Sequence, residues 1–361
     1  LYLYELQQLL KKAEGYLGFL SEKDENGLTV SDKLVSVFAF RVPYFVGPLN
    51  RHSQKAWFVR KTEGKIYPWN FTEKVDLDLS EEEFIKRMTN TCTYLPGETV
   101  IPKESLVYHK FTVLNEINNI KIDGVPLPVK VKQRLYNEYF MENRRVSAKG
   151  IKGFLKSINC FGDGQVLSGI DIQINSNLKP YHDFKRLMES GMLSETDVER
   201  IIERLTYSED RRRTSKWLKD NFSSLSEEDV RYISKLNYKD FGRLSKKFLC
   251  GFVGTEKSTR ETATIIDFLW NTNNNLMMLL SERFTFTEEL EKLREEYYSD
   301  GDKSIDEQLN DMYISNAVKR PIIRTMEIVK EIKKACGRAP DRIFIEMARG
   351  GTADQKNKRT L

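Results

Sequence analysis

The sequence predicts a mainly α-helical chain with a small β-hairpin region near its start and the beginning of an α/β segment at its end. Three observations carry this. Apolar residues recur at helical spacing behind repeated helix-start signals. Residues 35–71 form a β-favouring stretch rich in aromatic and basic side chains. Near the end, a sharply bounded helix runs into a short apolar strand.

Taken in order, Leu3, Leu6, Leu9 and Leu10 share one helical face within residues 1–20. Residues 21–33 are polar and hold Asn26-Gly27, a loop signal. Val37-Phe38-Ala39-Phe40 favours strand, and Lys55–Lys61 and Lys65–Trp69 flank Thr62-Glu63-Gly64 as a hairpin would. Pro68 places the second of these strands at an edge or an end. Helix-start signals then recur, with Ser80, Ser194 and Ser226 as N-caps behind a leucine. In the last two, Asp197 and Asp229 stand where the reciprocal glutamate of a capping box usually does, so the cap is better supported than the box. The spacing is irregular, which argues against a solenoid. Pro321 suits a first helical turn and Gly337 the left-handed position after a last one. Ile322, Met326, Val329, Ile332 and Cys336 mark one face between them. Pro340 bars continuation, and Arg342-Ile343-Phe344-Ile345-Glu346-Met347 reads as a strand with a carboxylate near its end.

Length and composition narrow the function classes. A chain of 361 residues holds two or three domains. With 40% hydrophobic and 31% charged residues it is not globally disordered. No apolar run reaches the roughly 18 residues of a membrane span, and no secretion leader is visible. The first residues read as mid-helix without an initiator Met and the last stop in a polar stretch, so both ends look like cuts through a longer protein. Cys92, Cys160, Cys250 and Cys336 form no CxxC pair, which fits a reducing cytoplasm and argues against zinc or a disulfide framework. His52, His109 and His182 are isolated and read as structural.

A net charge of +5 does not by itself specify a polyanionic partner, but its distribution is uneven. Between Phe40 and Asn70, Arg41, Arg51, Lys55, Arg60, Lys61 and Lys65 face only Glu63; between Lys235 and Cys250, Lys235, Lys239, Arg243, Lys246 and Lys247 face only Asp240. Cations neutralise phosphates and aromatic faces stack on bases or sugars, so the interleaving suits a nucleic-acid surface. From composition alone the plainer reading is preferred, with Phe40, Phe45, Phe58 and Trp69 as core and the charges solvated. If residues 235–247 are helical, Lys235, Lys239, Arg243 and Lys246 or Lys247 share a face, although Gly242 makes one unbroken helix uncertain. Without further signal such a face is ordinary surface.

Longer strings carry a resemblance. Phe40-Arg41-Val42-Pro43-Tyr44-Phe45-Val46-Gly47-Pro48-Leu49, Pro68-Trp69-Asn70-Phe71, Phe84-Ile85-Lys86-Arg87-Met88-Thr89-Asn90, Leu95-Pro96 through Tyr108, Tyr181-His182-Asp183, Glu209-Asp210-Arg211, Gly242-Arg243-Leu244-Ser245, Ile266-Asp267-Phe268-Leu269 and Ile345-Glu346-Met347-Ala348-Arg349 occur in this order. The chain resembles the recognition lobe of type II, II-A-like, CRISPR RNA-guided DNA endonucleases, running on into the second segment of their split RuvC domain of RNase H fold. The resemblance implies a first recognition domain ending within 1–90, a helical recognition domain over 91–300, and a linker helix with an incomplete RuvC segment over 301–361. It implies guide RNA and target DNA strand as partners, together with the remaining segments of the same nuclease and an anti-CRISPR inhibitor as a further partner class. A bacterial cytoplasmic setting in antiviral defence follows, with no membrane.

By the same resemblance, Arg41, Tyr44, Asn90, Lys103, Tyr108 and Arg243 face guide RNA or the guide–target heteroduplex, with Arg51 and Arg60 as secondary backbone contacts and Phe241 and Lys246 flanking Arg243. Phe241 stands where a well-known member has tryptophan, and Met278 replaces a polar contact residue, so no donor is expected there. Base pairing reads sequence while protein holds the A-form hybrid by phosphate and 2′-hydroxyl. Glu346 is implied as one carboxylate ligand of a two-Mg²⁺ nuclease centre whose other ligands this chain lacks. The chain alone is therefore expected not to cut DNA. Two alternatives stay open: a stand-alone RNase H-like nuclease using Glu346, and a helical protein-interaction scaffold.

Overall fold

The computed structural model describes residues 1–50, 56–169, 174, 176–208, 210–299, 309 and 316–338. Arg51, His52, and the expected strand with Glu346 lie outside these residues. The chain divides into two compact units, Leu1–Ser299 and Asp300–Leu361. It is mostly helical with short strands.

In the first unit, α1 (Tyr2–Ala13) packs on α2 (Val30–Ala39). Thr29 caps α2 through a complete box with Asp32. The expected strand at Val37–Phe40 is thus the end of a helix, because the cap and the packing of its neighbours outweigh local β preference. The expected hairpin also differs. β1 (Val59–Arg60) pairs antiparallel not with residues 65–69 but with β2 (Val75–Asp76). Pro68 has no N–H for a ladder, and Pro68–Asn70 instead forms a 3₁₀ turn leading into α3 (Phe71–Lys74). Phe40, Phe45 and Phe58 pack on buried Val46, Phe71 and Val75, so the plainer reading holds for these rings. Trp69 stacks on Tyr67 at 4.9 Å.

α4 (Leu77–Met88) is capped by Asp76, four residues before the expected Ser80 cap. Ser80 lies inside the helix, buried, where its hydroxyl donates to the Asp76 carbonyl and accepts from the Val59 N–H. A serine so used cannot cap. By contrast Ser194 and Ser226 cap α9 (Glu195–Tyr207) and α11 (Glu227–Ile233), each with its aspartate completing the box. Aspartate therefore serves where glutamate is usual.

Two larger cores follow. The first builds on α5 (Leu106–Ile117), whose Phe111, Leu114 and Ile117 bury against Ile265, Phe268 and Leu269 of α12 (Ile265–Asn271). Inside it, α6 (Val129–Arg134) contributes the fully buried Lys132, whose ammonium donates to the Leu269 and Thr272 carbonyls at the end of α12. Burial pushes this lysine down to about 8. The second core joins α8 (Lys179–Glu189), α9, α10 (Arg211–Asn221) and α11 through Phe184, Ile201, Leu218 and Ile233. Within it Asp183 accepts from Tyr238 (2.7 Å) and Arg144 (2.5 Å). His109 and His182 bond to the Asn177 and Phe140 carbonyls, which makes them structural. The four cysteines are free.

In the second unit the helix Asn316–Cys336 begins five residues ahead of the expected Pro321 start, and Gly337 ends it at φ +66°. Pro321 costs it one early hydrogen bond rather than a boundary. Ile322 and Ile332 of its apolar face are exposed.

Candidate functional site

Residues 91–105 and 238–244, far apart in sequence, are joined by their backbones. Thr93 N–H donates to the Arg243 carbonyl (3.0 Å), Ile101 N–H to Leu244 (3.1 Å), Gly242 N–H to Ile101 (2.8 Å) and Lys103 N–H to Asp240 (3.1 Å). The Thr93 hydroxyl adds a second bond to the Arg243 carbonyl at 3.0 Å. Ser105 then caps α5 and sets Tyr108 on its first turn. A Cβ on Gly242 would stand 2.5 Å from the Tyr108 ring, so only glycine permits this approach. Residues 235–244 are accordingly not helical, and Asp240 takes φ +72°. The expected common helical face of Lys235, Lys239, Arg243 and Lys246 or Lys247 does not form. Arg243 is held to one side while Lys247 pairs with Glu98 at 2.7 Å.

This stitched wall lines a cleft of about 940 Å³ together with Tyr44, Phe45, residues of α4, and Thr206, Tyr207, Asp210 and Arg213. Of the residues named from sequence, Tyr44, Asn90, Lys103, Tyr108, Phe241 and Arg243 line it. Four others do not. Arg41 bonds the carbonyl of its neighbour Phe40 at 3.2 Å. Arg60 bonds the Gly64 carbonyl at 2.8 Å and lies 5.4 Å over the Phe58 ring. Lys246 is exposed outside the cleft, its charge acting on Glu199. Arg51 falls outside the described residues. Met278 is exposed elsewhere.

The cleft carries cations at Lys103, Arg213, Lys239 and Arg243 against acids at Glu81, Asp210 and Asp240. Their circumstances differ. Arg213 donates to Glu81 (2.6 Å), Asp78 (3.2 Å) and Asp210 (3.3 Å) and lies 5.3 Å over the Phe45 ring. Burial raises the Glu81 carboxyl, opposed by the Arg213 charge. Arg243 is exposed and makes no side-chain hydrogen bond or ion pair among the described residues. Tyr44 is exposed, held edge-on to Phe84 at 5.6 Å. Exposed cation, amide and ring edges lining one cleft suit a sugar–phosphate chain.

Sequence reasoning gave no role to Glu81, Tyr207 or Arg213, and Lys239 entered only as a member of the 235–250 basic patch. The run Arg211-Arg212-Arg213 was the available signal, but a charge run does not show which member turns inward. Among the described residues no group of three or more His, Cys, Asp and Glu side chains could hold a metal, and no helix is long and apolar enough to cross a membrane.

Comparison with known proteins bears on the whole cleft. A family model described as the REC lobe of CRISPR-associated endonuclease Cas9 matches residues 1–294. The chain is 33% identical over 374 residues to the CRISPR-associated endonuclease Cas9 of Listeria innocua, covering 99% of this chain and 27% of that protein. It is 32% identical to the Streptococcus mutans protein of the same name, again covering 99% and 27%. A Streptococcus thermophilus relative, CRISPR-associated endonuclease Cas9 1, is 23% identical over 95% of this chain. The chain thus spans about 27% of the length of the first two relatives.

Proposed function

Because the chain belongs to the family of the Cas9 recognition lobe, we propose that it holds guide RNA and the guide RNA–target DNA heteroduplex within an RNA-guided DNA endonuclease of bacterial, cytoplasmic antiviral defence. The observation that carries this reading is the single cleft that gathers Asn90, Lys103, Tyr108, Phe241 and Arg243 from two distant stretches of chain. Lys103 and Arg243 supply charge to phosphates. Asn90 and the Tyr108 hydroxyl reach phosphate or ribose oxygens, and Tyr44 and Phe241 present rings to sugars or unstacked bases. At about 940 Å³ the cleft has the volume of a site for a drug-sized ligand, so it grips a short run of backbone rather than a whole duplex.

On this reading residues 1–90 end the first recognition domain, 91–300 form the next, and 301–361 lead into the second RuvC segment. Glu346 serves as a Mg²⁺ ligand only in the intact nuclease, beside ligands from its other segments, and this chain alone does not cut. An anti-CRISPR inhibitor would compete for the same walls. The test is hybrid affinity measured by fluorescence anisotropy across a salt series. Affinity is expected to fall steeply with salt, with a slope that Arg243→Ala shallows by about one. Salt-independent binding, or a slope unchanged in the variant, overturns the reading. Mg²⁺-dependent cleavage by this chain, lost in Glu346→Gln, would instead support the stand-alone nuclease.

A further inference from the structure

We infer that the outer face of α7 (Ala148–Ser157) is a second nucleic-acid surface, taking the sugar–phosphate backbone of one strand outside the main cleft. Residues 143–162 hold Arg144, Arg145, Lys149, Lys152 and Lys156 and not one aspartate or glutamate. Ser147 caps the helix by accepting from the Gly150 N–H, and Ile151 and Leu155 bury its inner face in the first large core. Lys149, Lys152, Gly153 and Lys156 share the opposite face at spacings of three and four, and all four are exposed. None of the four lines the main cleft.

Charge and glycine together fix the partner. Arg144 is paired with Asp183 (2.5 Å), and Lys156 with the exposed Asp163 (2.6 Å). Arg145, Lys149 and Lys152 are exposed and make no ion pair among the described residues. Lys149 and Lys156 lie two helical turns apart, about 10 Å along the axis, a length over which one strand of a duplex carries about three phosphates. The three lysines of this face meet that spacing, and Gly153 stands between them. A glycine inside a helix weakens it, so its presence needs a reason. For Gly150 the reason is internal, because a Cβ there would run into the Tyr139 hydroxyl. For Gly153 a Cβ would meet nothing within 4 Å, so the fold itself does not ask for glycine. A bare patch of helix backbone ringed by cations lets another backbone come close. An acidic protein reaches lysines through its side chains and has no use for that gap. A phosphate belongs to the chain itself, so its strand must approach.

The inference rests on the reading that this chain holds nucleic acid, and adds a surface separate from the cleft. The test uses the whole chain, Gly153→Ala and the double variant Lys149→Gln/Lys152→Gln, with hybrid affinity followed across salt and thermal unfolding alongside. The double variant should keep the parent's melting temperature and lose about two from the salt slope. Gly153→Ala should melt higher than the parent yet bind the hybrid more weakly, with the slope unchanged because no charge is removed. A glycine needed only by the fold would instead lower the melting temperature when replaced. A double-variant slope equal to the parent's, or an undiminished affinity in Gly153→Ala, overturns the inference. So does a double variant that loses hold of polyglutamate while binding hybrid as the parent does, which would mark the face as a dock for an acidic protein. If Arg243→Ala shallows the slope in the same assay while these variants do not, the cleft stands and the α7 face falls.

Discussion

Arg213 and Arg243 line the same cleft and are prepared for different work. Arg213 is spoken for by three carboxylates and a phenylalanine face. It ties α10 to α4 and to the Tyr44–Val46 turn. Arg243 keeps its guanidinium exposed while its carbonyl is bonded twice by Thr93. The backbone is fixed and the charge is left available. An arginine in a cleft is therefore not by itself a ligand contact; what decides is whether its charge is already neutralised by the fold.

Four experiments would break or sharpen this contrast. Arg213→Ala should cost about 2 kcal/mol in chemical unfolding, less than the roughly 3–5 kcal/mol for a fully buried pair because Arg213 keeps some solvent. An unfolding midpoint unchanged in the variant would erase the contrast. Gly242→Ala, which drives a Cβ toward the Tyr108 ring, should cost about 1–3 kcal/mol and weaken hybrid binding with it. Arg243→Ala should leave stability within about 0.5 kcal/mol of the parent while flattening the salt dependence of hybrid binding. A stability loss like that of Arg213→Ala would show that Arg243 is structural as well.

The smallest effect concerns Glu199, whose Oε1 accepts from the Ser105 hydroxyl (3.0 Å) and the Val107 N–H (3.1 Å) at the head of the helix that carries Tyr108. Burial raises this carboxyl, the two bonds opposing. A carboxyl raised on folding favours the folded state at low pH and loses that contribution as pH rises through its folded value. Glu199→Gln keeps an acceptor and sheds the buried charge. It should melt slightly above the parent at neutral pH, and the gap should close as pH falls toward about 4.3, the ordinary glutamate value. A gap that widens on acidification would reverse the assignment.

Where local chemistry decides, the sequence was a good guide. Ser194 and Ser226 cap where a serine followed by an acid three residues on should, and Gly337 ends a helix in the left-handed region. Ser80 carries the same signature and fails, because Asp76 caps first and Val59 claims the serine oxygen from a distant strand. The hairpin and the basic face of residues 235–247 fail for a like reason: their partners lie in other segments. The buried Lys132 escaped notice because nothing local marks a lysine that will close the end of a helix 137 residues away. For the cleft, composition alone favoured an aromatic core, and Phe40, Phe45 and Phe58 do form one. Of that segment's described residues, Tyr44 and Phe45 reach the cleft. The family resemblance, not periodicity, singled out Asn90, Tyr108 and Arg243.

The hydrogen bonds joining Thr93 to Arg243, residues 150 positions apart, bear on any attempt at transplantation. A chimera that imported the Gly242-Arg243 loop from a relative without its matching 93–103 stretch would receive the guanidinium but not the amides that aim it. During synthesis, too, the wall cannot assemble until the ribosome has delivered both halves, so nascent chains shorter than this span lack the completed cleft.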